Sequence, residues 1–285
     1  MMQIDKNYFQ NILNEEILSV DFLTQGQIGV ICTLQTPTQK FLLKTSDVSD
    51  RLQIEANMLE DIRKYEIAVP RVFDVSKTHL LTAYIETDTL VVEEQERAAA
   101  EILIKLHSVS NESRMYGYWY DTTIGPFPQC NEQTQYNWGL FLGQMRIMPM
   151  VRICYDKGMI SPALLKRLEN LSRDIYKRID LSAIIPSLIH GDLWSGNILF
   201  NRKGATLIDP AIYFADREME LAFIAMFETF GKDFWKNYTI EHPLSKDFYK
   251  TKSPLYQIYP LLVHAALYGG AYIGGVEQCL KRLKA

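Results

Sequence analysis

The chain has 285 residues, 47% hydrophobic and 22% charged, with a formal net charge of −4. This is ordinary globular composition, long enough to bury a large core, and its acidic balance argues against a broad basic face for nucleic acid. The N-terminal stretch "MMQIDKNYFQNILNEE" has no apolar run of signal-peptide type, and Asn111, Asn170 and Asn237 in Asn-x-Ser/Thr sites carry little weight without one. The four cysteines, Cys32, Cys130, Cys154 and Cys279, lie far apart without metal or redox spacing. They read as buried free thiols of a cytoplasmic protein.

In chain order, "VDFLT" and "VICTL" are strand-type runs joined by "QGQIG", and "KFLLK" follows a Thr-Pro-Thr turn. "DVSDRLQIEANMLEDIRKYEIAVP" places Leu52, Ala56, Leu59 and Ile62 at helical spacing and stops at Ala-Val-Pro. "HLLTAYI" is a further strand. Beyond Glu93 the periodicity is mainly helical, in "EEQERAAAEILIKLHSV", "NWGLFLGQMRIMPMVRICYDKG" and "SPALLKRLENLSRDIYKRI". The apolar stretch from Tyr259 to Val276 holds a histidine, glycines and tyrosines. It is expected to be one buried helix rather than a membrane span. The predicted class is α+β: a small β-rich N-terminal lobe, 1–86, with one main helix, and a larger helical lobe, 87–285, with a hinge near Ala83 to Thr89.

Glu55 falls on the apolar face of the first of these helices, three residues after Leu52. A carboxylate there needs a partner, and Lys44 at the end of the preceding strand is the candidate. The bland reading is an unpaired glutamate at the helix edge.

The densest polar turn is "LIHGDLWSGNILF", Leu188 to Phe200. "SLIH" and "NILF" read as strands, "NRKG" as a tight turn, and "ATLID" as a third strand ending in Asp209. Asp192 and Asn197 then share one loop, with Asp209 close by. Two carboxylates and an amide suit a hard Mg²⁺ ion rather than Zn²⁺. The spacing His190-x-Asp192 followed by Asn197 matches the protein-kinase catalytic loop, and Asp209 stands where its metal aspartate stands. Pro-Ala rather than Phe-Gly after Asp209 argues against protein substrates. Singly, each residue also reads as a turn or packing residue; jointly, with Lys44 and Glu55 upstream, they predict phosphoryl transfer. "TQGQIG", with Gly26 and Gly29, reads either as a phosphate-covering loop or as a hairpin turn. Backbone groups of Ala83 and Ile85 are the candidates for adenine.

With those residues in place, the chain resembles the fructosamine (ketoamine) kinase family, relatives of the aminoglycoside phosphotransferases, within the protein kinase-like fold. The resemblance is carried by "HGDLWSGN", "IDPAIYFADREMELA", "YGYWYDTTIGPFPQCNEQTQYNWGLFLGQMRI" and the tail "LYQIYPLLVHAALYGGAYIGGV". It implies Asp192 as catalytic base, Asn197 and Asp209 as Mg²⁺ ligands, and Lys44 with Glu55 orienting ATP. It further implies Trp194 as a platform for a sugar-like substrate, Asp216 as either a substrate residue or a structural one, and His190 as an organiser of the loop. Trp138, Phe141 and Arg146 are expected to pack the helical lobe. The implied reaction is phosphorylation of the third-carbon hydroxyl of a ribulosamine, erythrulosamine or fructosamine, on a free metabolite or a glycated protein lysine. The product should shed phosphate and free the amine. Another small alcohol, such as an aminoglycoside, choline or homoserine, is the alternative acceptor. Three features depart from the family: Ala83 at the hinge, Val263-His264 in place of Asn-His, and a phosphate loop without cysteine, which gives no support to redox control there.

Overall fold

The structure, a computed structural model, describes residues 4–25, 29–46, 50–131 and 136–285. Helix α1 (Lys6–Leu13) opens on Asp5, whose side chain accepts from Tyr8 N at 3.2 Å and satisfies an otherwise orphan donor. Five antiparallel strands follow: β1 (Ser19–Gln25), β2 (Val30–Gln35), β3 (Lys40–Thr45), β4 (Val72–Val75) and β5 (His79–Ala83). They form one sheet in the order β1-β2-β3-β5-β4. Helix α2 (Arg51–Arg63) connects β3 to β4. The short elements α1 and β4 have no counterpart in the sequence reading.

The alternation of side chains along β3 assigns the faces of this sheet. Phe41 and Leu43 turn into a core with Phe9, Ile17, Leu34 and Leu81, on the side where α1 packs. Lys44, next after Leu43 and on the opposite face, pairs with Leu80 across β3 and β5, and Leu80 packs with Leu52 and Ala56 of α2. Lys44 is therefore presented to α2 by the pleat itself.

The remainder is mainly helical. Helix α3 (Val92–Ser108) leads to a hairpin of β6 (Thr122–Ile124) and β7 (Phe127–Gln129). Helices α4 (Trp138–Phe141) and α5 (Met148–Asp156) are joined by a π-helical segment, and α6 (Pro162–Arg173) starts on a Ser161 cap. A strand-rich segment interrupts the helices: β8 (Pro186–Ile189), β9 (Ile198–Asn201), β10 (Gly204–Leu207) and β11 (Tyr213–Asp216). Strand β9 pairs with β10, whereas β8 pairs with β11. Then follow α7 (Glu218–Met226), α8 (Lys232–Glu241), α9 (Ser253–Tyr256), α10 (Ile258–Tyr268) and α11 (Ile273–Arg282).

The main core holds the helical part together and also takes in Met58 and Ile62 of α2. Trp138, Phe141 and Arg146 are buried in that region. Two expectations are corrected. The stretch from Tyr259 to Val276 is two helices, because the chain turns at Gly269, whose φ of 107° ends α10. All four cysteines are free, but Cys130 is exposed rather than buried. Among the described residues, no helix is long and apolar enough to cross a membrane.

Candidate active site

A cleft of 620 Å³ opens between the sheet and the helical part. Gly29, Lys44, Glu55, Asp192, Trp194, Asn197 and Asp209 all line it. Gly26 lies outside the described residues.

On the sheet side, Lys44 Nζ reaches Glu55 Oε1 at 2.6 Å and also bonds Asp209 Oδ1. Burial would depress the Lys44 ammonium, but the two carboxylates outweigh it and raise it above the ordinary lysine value. Burial likewise drives the Glu55 carboxyl upward, against the pull of Lys44. For Asp209 the balance falls the other way: burial acts to raise it, and Lys44 holds it below the usual carboxylate range. Gly29 is required by close packing, since a Cβ there would sit 1.6 Å from the carbonyl oxygen of Thr45.

The loop between β8 and β9 carries the opposite wall. Gly191 adopts φ +83°, and a Cβ at that position would meet Ala211 O at 2.2 Å, so only glycine fits. His190 is fully buried. Its Nε2 lies 2.9 Å from Ile208 O and its Nδ1 accepts from Asp192 N at 3.3 Å, an arrangement that fits a neutral imidazole with the hydrogen on Nε2. Burial lowers its pKa accordingly. Asn197 Nδ2 donates to Asp192 O at 2.8 Å and to Asp192 Oδ2 at 3.2 Å. The Asp192 carboxyl is pushed up to about 7, first by burial and then by the charge of Asp209. Asp209 does not end a strand as expected. Strand β10 stops at Leu207, and Asp209 takes a left-handed turn with φ 52°, its carboxylate bonded to Lys44.

Trp194 is 46% exposed in the cleft rather than packed in the core. Its indole lies over Gly196, where a Cβ would come within 2.4 Å of the ring. Asp216 is not brought to the cleft. It is buried, accepting from Lys252 Nζ at 2.8 Å, Tyr256 Oη at 2.7 Å and Glu218 N at 3.0 Å. This leaves the structural alternative: Asp216 and Glu218 bracket a buried lysine. The Ala83 N–H is already taken by Arg71 O at 2.8 Å, so it is not open to a base. Neither Ala83 nor Ile85 is among the cleft-lining residues.

Glu220 is the residue that sequence reasoning missed. Buried on α7, it accepts from His190 N at 3.1 Å, Gly191 N at 2.8 Å and, on pairing with the imidazole, His107 Nε2 at 2.9 Å. Burial pushes its carboxyl up, but the hydrogen bond from His107 outweighs that and lowers it. Its signal was the one that exposed Glu55: a carboxylate inside an apolar helix, "EMELAF".

No three His, Cys, Asp or Glu side chains form a metal cage among the described residues. Mg²⁺ in nucleotide sites uses one or two carboxylates and completes its shell with phosphates and water. Asp209 fits that need, and so does the Asn197 amide, whose nitrogen is committed inward to Asp192 and leaves its oxygen as the remaining ligand.

A lysine–glutamate pair under a β-sheet, facing a loop with an aspartate, an asparagine and a second aspartate, defines a phosphotransferase of the protein kinase-like fold. Solved structures share this fold. A "putative fructosamine-3-kinase" from Thermobifida fusca superposes with a TM-score of 0.88, at 24% identity, covering 98% of each chain. The ADP-bound aminoglycoside phosphotransferase APH(2'')-Ib gives 0.66 at 16% identity, again over 98% of each chain. The chain belongs to the fructosamine kinase family, whose model matches residues 1–285, and is accordingly an ATP-dependent phosphotransferase. The "Probable ketoamine kinase" of Lactiplantibacillus plantarum is 28% identical over 98% of this chain and 99% of its own length.

Proposed function

We propose that this kinase transfers the γ-phosphoryl group of ATP to the third-carbon hydroxyl of a small ketoamine, a ribulosamine, erythrulosamine or fructosamine. The supporting observation is Asp192, set beside the exposed face of Trp194 in a cleft that also holds Lys44, Asn197 and Asp209. On this reading residues 1–86 serve the nucleotide and 87–285 the acceptor, in a reducing cytoplasm that suits free thiols.

Asp192 orients the acceptor hydroxyl and takes its proton as the oxygen attacks the γ-phosphorus and ADP departs. Its raised pKa keeps it basic enough for that role near neutral pH. Lys44 neutralises the nucleotide phosphates, held in register by Glu55. Asn197 and Asp209 would hold Mg²⁺, which supplies charge neutralisation on the phosphates. Trp194 takes the C–H face of the sugar portion. In the product, loss of a C1 proton gives an enaminol whose electron pair expels the third-carbon phosphate; water then releases the amine from the unsaturated imine. Phosphorylation thereby initiates deglycation.

An aminoglycoside is a poorer acceptor on one specific observation. The acidic side chains lining the cleft, among the described residues, are Glu55, Asp192 and Asp209. All three belong to the catalytic end, so no carboxylate remains to receive a polycation. The test is incubation with MgATP and ribulosamine, erythrulosamine and fructosamine derivatives, followed by ADP release and ³¹P NMR. A new phosphate ester is expected; absence of turnover with every ketoamine refutes the assignment.

A further inference from the structure

The cleft extends past Trp194 to a wall contributed by the C-terminal helices. Phe227 stands at the end of α7, His264 and Tyr268 lie one turn apart on α10, and Tyr272 follows the turn at Gly269. All four line the same cavity as Asp192 and Trp194. Their rings form one continuous surface with His264 at its centre. Ring centroids are 5.0 Å from His264 to Phe227, 5.7 Å to Tyr268 and 5.3 Å to Tyr272. The break at Gly269 is what returns Tyr272 to the side of His264.

The surface is uncharged. The Lys, Arg, Asp and Glu residues lining the cleft, among the described residues, are Lys44, Arg51, Glu55, Asp192 and Asp209, and none comes from the last four helices. His264 Nδ1 sits 2.8 Å from Pro260 O, which places a ring hydrogen there, and burial lowers its pKa against the pull of that bond, favouring the neutral imidazole. The rings already touch one another, so they leave no gap that could enclose a cation between them as an aromatic cage would. A carboxylate on this surface would lose water without gaining a cationic partner from the described lining residues of the last four helices. A flat apolar group would gain contact on several rings at once.

We infer that this shelf binds the amine substituent of the substrate, and that the preferred ketoamines are adducts of small amines bearing a neutral aromatic group. The inference rests on the ketoamine reading of the catalytic end: with the third-carbon hydroxyl at Asp192, the nitrogen and its substituent continue along the cleft beyond Trp194. Amino-acid adducts with a nearby carboxylate, and diamine adducts with a second ammonium, fit the shelf poorly.

The experiment compares ribulose adducts of methylamine, 2-phenylethylamine, glycine and 1,4-diaminobutane by kcat/KM. The phenylethylamine adduct should exceed the methylamine adduct by about tenfold, the scale on which apolar subsites discriminate, and the other two should not exceed it. In Phe227→Ala and Tyr272→Ala the phenylethyl-to-methyl ratio should fall to within about twofold, while Tyr272→Phe, which keeps the ring, should retain it. Phe227→Leu replaces either alanine variant that fails to fold. The inference is overturned by a wild-type ratio near one, by a ratio that survives loss of the rings, or by preference for the glycine or diaminobutane adduct. If no ketoamine is phosphorylated, the functional reading fails separately. Calorimetric affinities of the phenylethylamine and methylamine adducts for wild type and Tyr272→Ala then read the shelf directly, with the same ratios deciding.

Discussion

Replacing Asp192 with asparagine should destroy activity and stabilise the protein. Burial and the charge of Asp209 raise its carboxyl from 3.8 to about 7. Because the folded-state pKa lies above the unfolded one, the folded protein holds that proton more tightly. Ionisation therefore opposes folding: the penalty is absent below the unfolded value, grows as pH rises, and is complete above about 7. At about 1.36 kcal/mol per pH unit, the full penalty is about 4 kcal/mol. Water reaching the loop screens part of it, leaving about 2 kcal/mol. Asparagine keeps an oxygen for the Asn197 amide, which donates to Asp192 Oδ2 at 3.2 Å, and carries no charge. Thermal unfolding should place Asp192→Asn about 3 °C above wild type at about pH 8, with the gap closing towards about pH 4. Turnover should drop roughly 10²–10⁴-fold. A variant no more stable than wild type at the higher pH, or a gap that ignores pH, refutes the argument that this carboxylate is held at an energetic cost. Near-normal turnover refutes its role as base.

The same shift predicts that kcat/KM for the free enzyme declines below an acid limb near 7, since the protonated carboxyl cannot accept the hydroxyl proton; a rate profile at constant free Mg²⁺ checks it, and a limb in the ordinary carboxylate range contradicts it. Glu220→Gln should cost about 1.5–3 kcal/mol by denaturant unfolding, because buried hydrogen bonds to a charged acceptor become bonds to a neutral one. It should also lower kcat, because the backbone N–H groups of His190 and Gly191 lose their carboxylate.

The sequence was most informative where a physical conflict stood in plain view. Glu55 among apolar neighbours demanded a cation, and Lys44 lies 2.6 Å away. The spacing of Asp192 and Asn197 put them in one loop, and the amide indeed contacts the aspartate. Asp216 shows what spacing omits. Its charge is visible in "ADRE", but its direction depends on Lys252, which follows 36 residues later and has no local signal. That the Ala83 N–H is engaged was hidden for a similar reason, because its partner, Arg71 O, lies on the neighbouring edge of the sheet. Gly269 was visible as a glycine, yet its role as a helix stop emerges only with its positive φ.

The placement of α2 bears on how catalysis is held ready. Its Met58 and Ile62 belong to the core of the helical part, not to that of the sheet. Asp61 accepts from Tyr118 at 3.1 Å and Tyr120 at 2.8 Å, and Arg51 donates to Pro126 O at 2.8 Å in the hairpin turn. Both ends of the helix are thus tied to the part of the chain that carries Asp192. Moving Glu55 off Lys44 by swinging this helix outward would require breaking those polar ties and uncovering apolar surface together. Leu52 and Ala56 of the same helix pack on Leu80 of the sheet, so the helix that carries Glu55 is fastened to both the sheet and the helical part.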